Sequence, residues 1–551
     1  MRNKGIILFL SIILSIVLGI TSLYTPRPKS EDSGFSTEIA KEHIKEISKE
    51  VHSIQEPEAL GRVREYILNE LKELGLEPEV FTYEDVESSK GGIYDINNIY
   101  AKIDGKNGED GSYIMLASHY DSSPKKRSGE DGESKGAADA GYGVSTILEI
   151  VRIIKESGQE LENGIKILIT DGEEMGLMGA KEEMNNNFDL YENVNFVVNL
   201  EARGIKGPAL MFETSNNNKK VIDLYKKANL PVSYSLAADV YNKMPNGSDF
   251  TEFKDAGLPG INFAVLNDLD YYHTKNDNYD NISDTSIQHY GEQVLPIVQE
   301  YVYNAKYGQA DYFQSNQNSV FFTLLPNVFI NYTSLIATIL AVISLIALVV
   351  IMRNLKVNAK MVVKWIAVWT GLALASTAIG IAISYIISMV SGIEFKITYM
   401  PRITGSDFIV LMAVILTSVL VALLSKKLAK NREDLESMLF GGLWFNEFLL
   451  VIFMIALPGG SYLFLWPVIM TLISIILTKK FKNQNMLLIA TMFTIVMYVP
   501  VIYNIYIALT IGALGVVMLL TLMSLSTIVP LVLNVSMENE NVIRNIYRKV
   551  A

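Results

Sequence analysis

Apolar and polar positions along the first 310 residues alternate in two registers. Residues 57–76 (PEALGRVREYILNELKELGL) place Leu60, Val63, Ile67, Leu71 and Leu74 on one face of a helix. Short, nearly continuous apolar runs follow at 113–118 (YIMLAS), 165–170 (IKILIT), 196–200 (FVVNL) and 261–265 (INFAV), the pattern of buried strands. Helical patterns separate them near 142–158, 175–186, 218–229 and 285–306. This strand–helix alternation predicts an α/β domain, a mostly parallel sheet flanked by helices. In such sheets a ligand site lies beyond the carboxyl ends of the strands, so functional residues should follow strands directly.

From about residue 320 the pattern changes to long apolar runs. They lie near 328–352, 363–390, 407–425, 440–457, 460–478, 485–503 and 508–535, each long enough to cross ~30 Å of hydrocarbon. Residues 440–478 can also be divided differently, and Pro530 leaves room for a re-entrant turn. Residues 5–24 form an eighth apolar run behind Arg2 and Lys4. A cleavable signal peptide is the competing reading, but the run is long and TPRPKS follows it where a small-residue cleavage site would stand. The expected organisation is an N-terminal signal anchor (1–30), a soluble domain (31–310), about seven transmembrane helices (320–537, all-α) and a tail (538–551).

Charge orients this arrangement. One set of loops carries Arg353, Lys356, Lys360 and Lys364, then Lys426, Lys427, Lys430 and Arg432, then Lys479, Lys480 and Lys482, then Arg544, Arg548 and Lys549. The alternate connections carry only Lys396 and Arg402. The positive-inside rule places the rich loops and both termini in the cytoplasm, and the soluble domain outside it, on a cell membrane. Glu447 is the main ionisable residue within a run and would sit at an interface; no ion path is visible, and the spans read as an anchor or scaffold.

Composition narrows the chemistry. Residues 31–310 hold 50 acidic and 27 basic side chains, with no basic stripe, so no nucleic-acid partner is expected. Cysteine is absent, so disulfides are excluded and any metal must use His, Asp or Glu. The abundance of Ile, Asn, Lys and Glu has a bacterial cast.

Five histidines occur in the chain. His43 and His52 lie in a polar helical stretch and His289 in the last helix of the domain, and these three read as structural. His119 directly follows a strand, in His119-Tyr120-Asp121, and His273 stands in Tyr271-Tyr272-His273-Thr274 after an acidic loop. Acidic residues fall at matching places. Asp139 sits in GAADAGYG, where glycines permit a tight turn close to an ion. Glu173 and Glu174 follow a strand between Gly172 and Gly176, and Glu201 follows the strand FVVNL. Adjacent carboxylates at a strand end repel unless a cation neutralises them. These residues suffice for two zinc ions sharing a carboxylate, with Glu173 left over as a base. The loop SSPKKRSGEDGESKG (122–136) reads as solvated filler rather than a gate.

Residues 36–306 resemble the co-catalytic zinc aminopeptidases of the aminopeptidase S and aminopeptidase Y type, a zinc-exopeptidase, phosphorylase/hydrolase-like fold. The resemblance runs through HYDS (119–122), DAGYG (139–143), DGEEMGLMGA (171–180), NLEARG (199–204), GSDF (247–250), GLPGINF (257–263) and YYHTKNDNYDNI (271–282). The Asn-Leu-Glu motif and the multi-span C-terminal half are similar to the endoplasmic reticulum metallopeptidase and vacuolar membrane protease branch. The resemblance implies that His119 and Glu201 bind one zinc, that Glu174 and His273 bind another, and that Asp139 bridges the two. It implies that Glu173 is the general base, that Asp121 orients or tunes the site, and that Tyr272 stabilises an oxyanion. The implied substrate is a peptide or protein N-terminus. Related motifs often carry Asp or Asn where this chain has Ala140, a position that is not a ligand.

Three readings compete with the peptidase. Glutaminyl cyclases share the His-Tyr-Asp-Ser and Gly-Glu-Glu patterns with one zinc, but the Met-Gly-Leu-Met-Gly-Ala continuation favours a peptidase. A non-catalytic receptor would have lost ligand positions, and all five are present together with the base. A peptide-binding transporter component would carry intramembrane charges, and almost none are seen.

Overall fold

The computed structural model describes residues 2–30, 34–126, 129–244 and 246–536. These form two compact units, one spanning Leu23–Asn331 and the other formed by the described residues before and after it.

The first unit is built on seven strands: β1 (Glu79–Glu87), β2 (Ile93–Ile103), β3 (Tyr113–His119), β4 (Gly164–Thr170), β5 (Val194–Leu200), β6 (Leu210–Thr214) and β7 (Gly260–Ala264). Their order is β1-β2-β4-β3-β5-β7-β6. The four central strands β4, β3, β5 and β7 run parallel. The flanking pairs β1–β2, β2–β4 and β6–β7 are antiparallel. The mostly parallel character read from the sequence therefore holds for the core of a mixed sheet. All seven residues of β3 are buried, as are those of β4, which explains their nearly continuous apolar runs.

Alternation along β3 divides the interior. Ile114 and Leu116 join the larger core, with Ile44, Ile67, Ile150 and Val298 from helices Thr37–Ile47, Pro57–Glu73, Gly141–Ser157 and Asp284–Val302. Tyr113, Met115 and Ala117 face the opposite layer, with Ala180 of helix Met178–Asn186 and Phe250 and Phe253 of helix Asp249–Asp255. Each fully buried aliphatic side chain here contributes about 1.5–3 kcal/mol. Register sets the functional edge. His119 pairs with Thr170 and Ala117 with Asn199, so the residues leaving β3, β4 and β5 emerge side by side.

In the second unit, six apolar stretches are long enough to cross a membrane. The chain is a multi-pass membrane protein. The last stretch, Gln484–Val535, contains two helices, Leu487–Leu509 and Leu514–Ser536, broken at Thr510–Ala513. The helix runs on through Pro530, so there is no re-entrant turn at that proline. The run read from 328 starts later. Val328–Thr333 is strand β9, paired with β8 (Ser319–Leu325), and the helix begins at Ser334 under the Thr333 cap. Glu447 has a partner on another helix. It is 4% exposed, lies within helix Arg432–Ala456, and accepts a 2.8 Å hydrogen bond from Ser344 in the middle of helix Ser334–Asn354. The tail expected at 538–551 lies outside the described residues.

Candidate metal centre

Each strand end delivers one part of a buried cluster. β3 ends on His119, and the chain turns through Asp121. The ring Nδ1 lies 3.0 Å from the Asp121 carbonyl, an acceptor, so Nδ1 carries the hydrogen. That leaves the Nε2 lone pair facing Asp139 Oδ1 at 3.3 Å and Glu201 Oε2 at 3.4 Å.

Asp139 stands just before helix Gly141–Ser157, and its peptide bond to Ala140 is cis. Gly143 lets this helix start against the sheet. A Cβ there would stand 2.2 Å from Ser118 Oγ and 2.6 Å from the Leu200 carbonyl. After β4, a short 3-10 turn carries Glu173 and Glu174 between two left-handed glycines, Gly172 (φ 66°) and Gly176 (φ 118°). The opposite wall is His273, whose own φ of 60° is left-handed. A non-glycine residue held there is a feature of functional sites. The ring stacks on Tyr272 with centroids 3.6 Å apart.

His273 Nε2 lies 2.8 Å from Glu174 Oε1 and 3.3 Å from Asp139 Oδ2. These three buried atoms are within ion-pair distance, yet none makes a hydrogen bond of acceptable geometry. Lone pairs that converge without a proton between them are the arrangement a metal ion satisfies. Three groups of donors lie within 4.8 Å of one another: His119, Asp139 and Glu201; Asp139, Glu174 and His273; and His119, Glu173 and Glu174. Asp139 belongs to the first two. The residues present thus fit a metal centre, and the five expected ligands come together in one place.

The buried charges perturb one another strongly. Burial, with the charges of Glu201 and Glu174 added, raises Glu173 well above the usual carboxylate range. Glu174 is raised by burial and by Asp139. Burial alone would lower His119, but hydrogen bonds with Asp121, Asp139 and Glu201 outweigh it and raise it well above its ordinary value. His273 rises to about 9, burial being overcome by Glu174 and Asp139. Asp139 moves down despite its burial, because His119 and His273 both face it.

Two supports were not read from the sequence. Asp277 is buried and accepts the amides of Ala138 at 2.7 Å and Asp139 at 3.4 Å, with Ser134 Oγ at 3.2 Å. Asn199 donates to Glu201 Oε1 at 2.9 Å and to Asn262, which donates onward to Glu213. The available signals were spacing. Asp277 stands four residues after His273, and Asn199 two before Glu201 on the same side of the strand.

The loop read as filler is tied to the site at its later end. Gly132 packs on the His273 carbonyl, and the Lys135 amide donates to the Asp277 carbonyl at 3.1 Å. The remaining histidines keep their own partners. His289 accepts the Ala209 amide at 3.0 Å and faces the Leu230 carbonyl at 2.9 Å. His43 bonds to Tyr66 at 2.8 Å, and His52 to the Glu50 carbonyl at 3.0 Å.

Among solved structures, an aminopeptidase from Aneurinibacillus sp. strain AM-1 is 17% identical, over 49% of this chain and 94% of its own, with a TM-score of 0.40. A Porphyromonas gingivalis glutaminyl cyclase is 20% identical, over 49% of this chain and 99% of its own, with a TM-score of 0.39. Among curated proteins, human endoplasmic reticulum metallopeptidase 1 is 28% identical over 250 residues, 44% of this chain and 26% of its own length. The vacuolar membrane protease of Lodderomyces elongisporus is 29% identical over 198 residues, 36% of this chain and 19% of its own. The chain thus spans about a quarter or less of the length of the curated relatives it matches. Residues 98–298, which contain the whole cluster, match Peptidase family M28, and the resemblance carried by His119, Asp139, Glu173, Glu174, Glu201 and His273 is to that family.

Proposed function

We propose that this chain is a membrane-anchored zinc metallopeptidase that removes amino acids from peptide N-termini. The observation that carries the reading is Asp139, whose two oxygens face His119 and His273 separately, with Glu201 beside the first and Glu174 beside the second. That arrangement supports two zinc ions, His119 and Glu201 on one, Glu174 and His273 on the other, with Asp139 shared. The family match supports a peptidase, and the printed names of the curated relatives support membrane association.

Zinc bound there would supply Lewis acidity, lowering the pKa of water and polarising the scissile carbonyl. The chain's own groups do the rest. Glu173 is half-buried beside the cluster and would act as the general base that takes a proton from the attacking water and passes it to the leaving amine. Asp121 holds the Glu173–Glu174 turn by its backbone and His119 by its ring. Tyr272, stacked on His273, would donate to the oxyanion that develops on the carbonyl. The loop charges support a domain (31–310) outside the cytoplasm of a bacterial cell membrane, anchored by the N-terminal helix and about seven further spans.

The test uses the full chain in detergent. Bound metal is measured, and amino-acid release is followed from free and N-acetylated peptides, for the wild type and Glu173→Gln. The reading expects about two zincs per chain, trimming of free peptides only, and a Glu173→Gln variant that keeps metal but loses at least about a hundredfold in kcat. Cyclisation of N-terminal glutamine with one zinc would move the assignment to a cyclase. A metal-loaded chain inert toward all peptides would sink it.

A further inference from the structure

Arg203 is a cation at the edge of the carboxylate cluster that pairs with none of it. It follows Glu201 by two residues, and its amide donates to the Val265 carbonyl at 3.0 Å, which fixes the main chain where β5 and β7 end. Its guanidinium is partly buried and makes no side-chain hydrogen bond or ion pair among the described residues; Nη2 is shielded from water and left without a partner. The site around it is crowded with acids. Tyr272 and Tyr241 both feel its charge, and Tyr241 in turn lies within the field of Glu201 and Glu173. Phe212 packs edge-on against Tyr241, at 4.7 Å between centroids, and holds that wall in place.

A guanidinium presents five donors in a rigid fork and stays charged at any working pH. Shielding it without a partner is unfavourable, and a carboxylate is the group its fork fits best. Glu201 and Glu174 are engaged with the histidines instead. An arginine left unpaired beside the cluster has a fork free for an incoming anion.

We propose that Arg203 is the carboxylate-binding residue of the substrate cleft, so that the site selects peptides presenting a carboxylate to it. The carboxylate is either the C-terminus of a very short peptide or an acidic side chain. The proposal rests on the peptidase reading and names its substrate class.

The test uses full-length, zinc-loaded protein in detergent with two peptide pairs. Ala-Ala against Ala-Ala-amide asks about the C-terminus, and Ala-Asp-amide against Ala-Asn-amide asks about the side chain. The wild type should prefer the acidic member of one pair by about tenfold or more in kcat/KM, the weight of a charge-assisted hydrogen bond. That ratio should fall to within about twofold in Arg203→Gln and be partly kept in Arg203→Lys. The pair that responds identifies the source of the carboxylate. Wild-type ratios near one for both pairs would overturn the proposal, as would an Arg203→Gln variant that slows all four peptides equally. If Arg203→Gln fails to fold, the Arg203→Lys ratio decides. If the wild type cleaves none of the peptides, the peptidase reading fails by itself, and calorimetric binding of the same pairs decides whether Arg203 holds a carboxylate.

Discussion

Asp121 accepts the backbone amide of Glu173 at 3.0 Å with one oxygen and that of Glu174 at 3.2 Å with the other. The same residue holds His119 Nδ1 through its own carbonyl at 3.0 Å. One buried residue therefore ties the end of β3 to the turn after β4. It fixes the imidazole tautomer on one side and both glutamates on the other, although they stand 52 and 53 residues further along the chain.

Asp121→Asn should break this tie without emptying the space. An amide side chain has a single oxygen acceptor, so one of the two backbone amides loses its partner. The expected outcome is a fall of about 10–100-fold in metal affinity or kcat, the usual effect of removing a group that orients metal ligands. Metal titration followed by chromogenic or fluorimetric turnover checks it. Unchanged metal affinity and kcat would mean that the turn holds itself in place.

Much of this site was legible in the sequence because the sheet makes function local. His119, Glu173, Glu174 and Glu201 each stand at or just after the end of a largely apolar strand, so strand and ligand are read together. The supports were less legible because they act across the chain. Asp277 secures the main chain at Ala138 and Asp139 from 138 or more residues away, and nothing local marks it. The edges of the sheet hid for another reason. β1 is exposed or half-exposed along its length and polar in sequence, so it lacks the apolar run that marks β3 and β4. The start of the first membrane helix after β9 was misplaced because VFINYT is apolar enough to extend the run; only pairing with β8 makes it a strand.

Two glycine substitutions should move stability in opposite directions. Gly143→Ala puts a methyl group 2.2 Å from Ser118 Oγ and 2.6 Å from a backbone carbonyl, at the point where helix Gly141–Ser157 meets the sheet. Overpacking of this kind costs about 1–3 kcal/mol. Gly61→Ala sits inside helix Pro57–Glu73, where the new methyl group meets only the end of Arg64 at 3.8 Å. There the gain in helix propensity is about 0.5–1 kcal/mol. Thermal unfolding of both variants should bracket the wild type, Gly143→Ala below it and Gly61→Ala above. If Gly143→Ala melted with or above the wild type, the close approach of helix and sheet would be wrong.

His43 and His289 should make the soluble unit sensitive to acid. Burial lowers both from an ordinary 6.5 to about 4, because neither has a full counter-charge at hand. His43 has Glu70 no nearer than 3.7 Å, and His289 is committed to the Ala209 amide and the Leu230 carbonyl. Between pH 6.5 and 4 the unfolded chain binds a proton at each site that the folded chain does not. Stability therefore rises with pH across that window and is lost as pH falls through it. Each shift is worth up to about 3 kcal/mol when fully developed. His289→Gln can still accept from Ala209 and donate to Leu230 while carrying no titratable group. Its stability curve should therefore be flatter than the wild type's between pH 4 and 6.5, with little change at pH 8. Denaturant unfolding of the full chain in detergent at pH 4.5, 5.5, 6.5 and 8 reads this directly. Parallel curves for variant and wild type across the window would show that His289 is already protonated in the folded state.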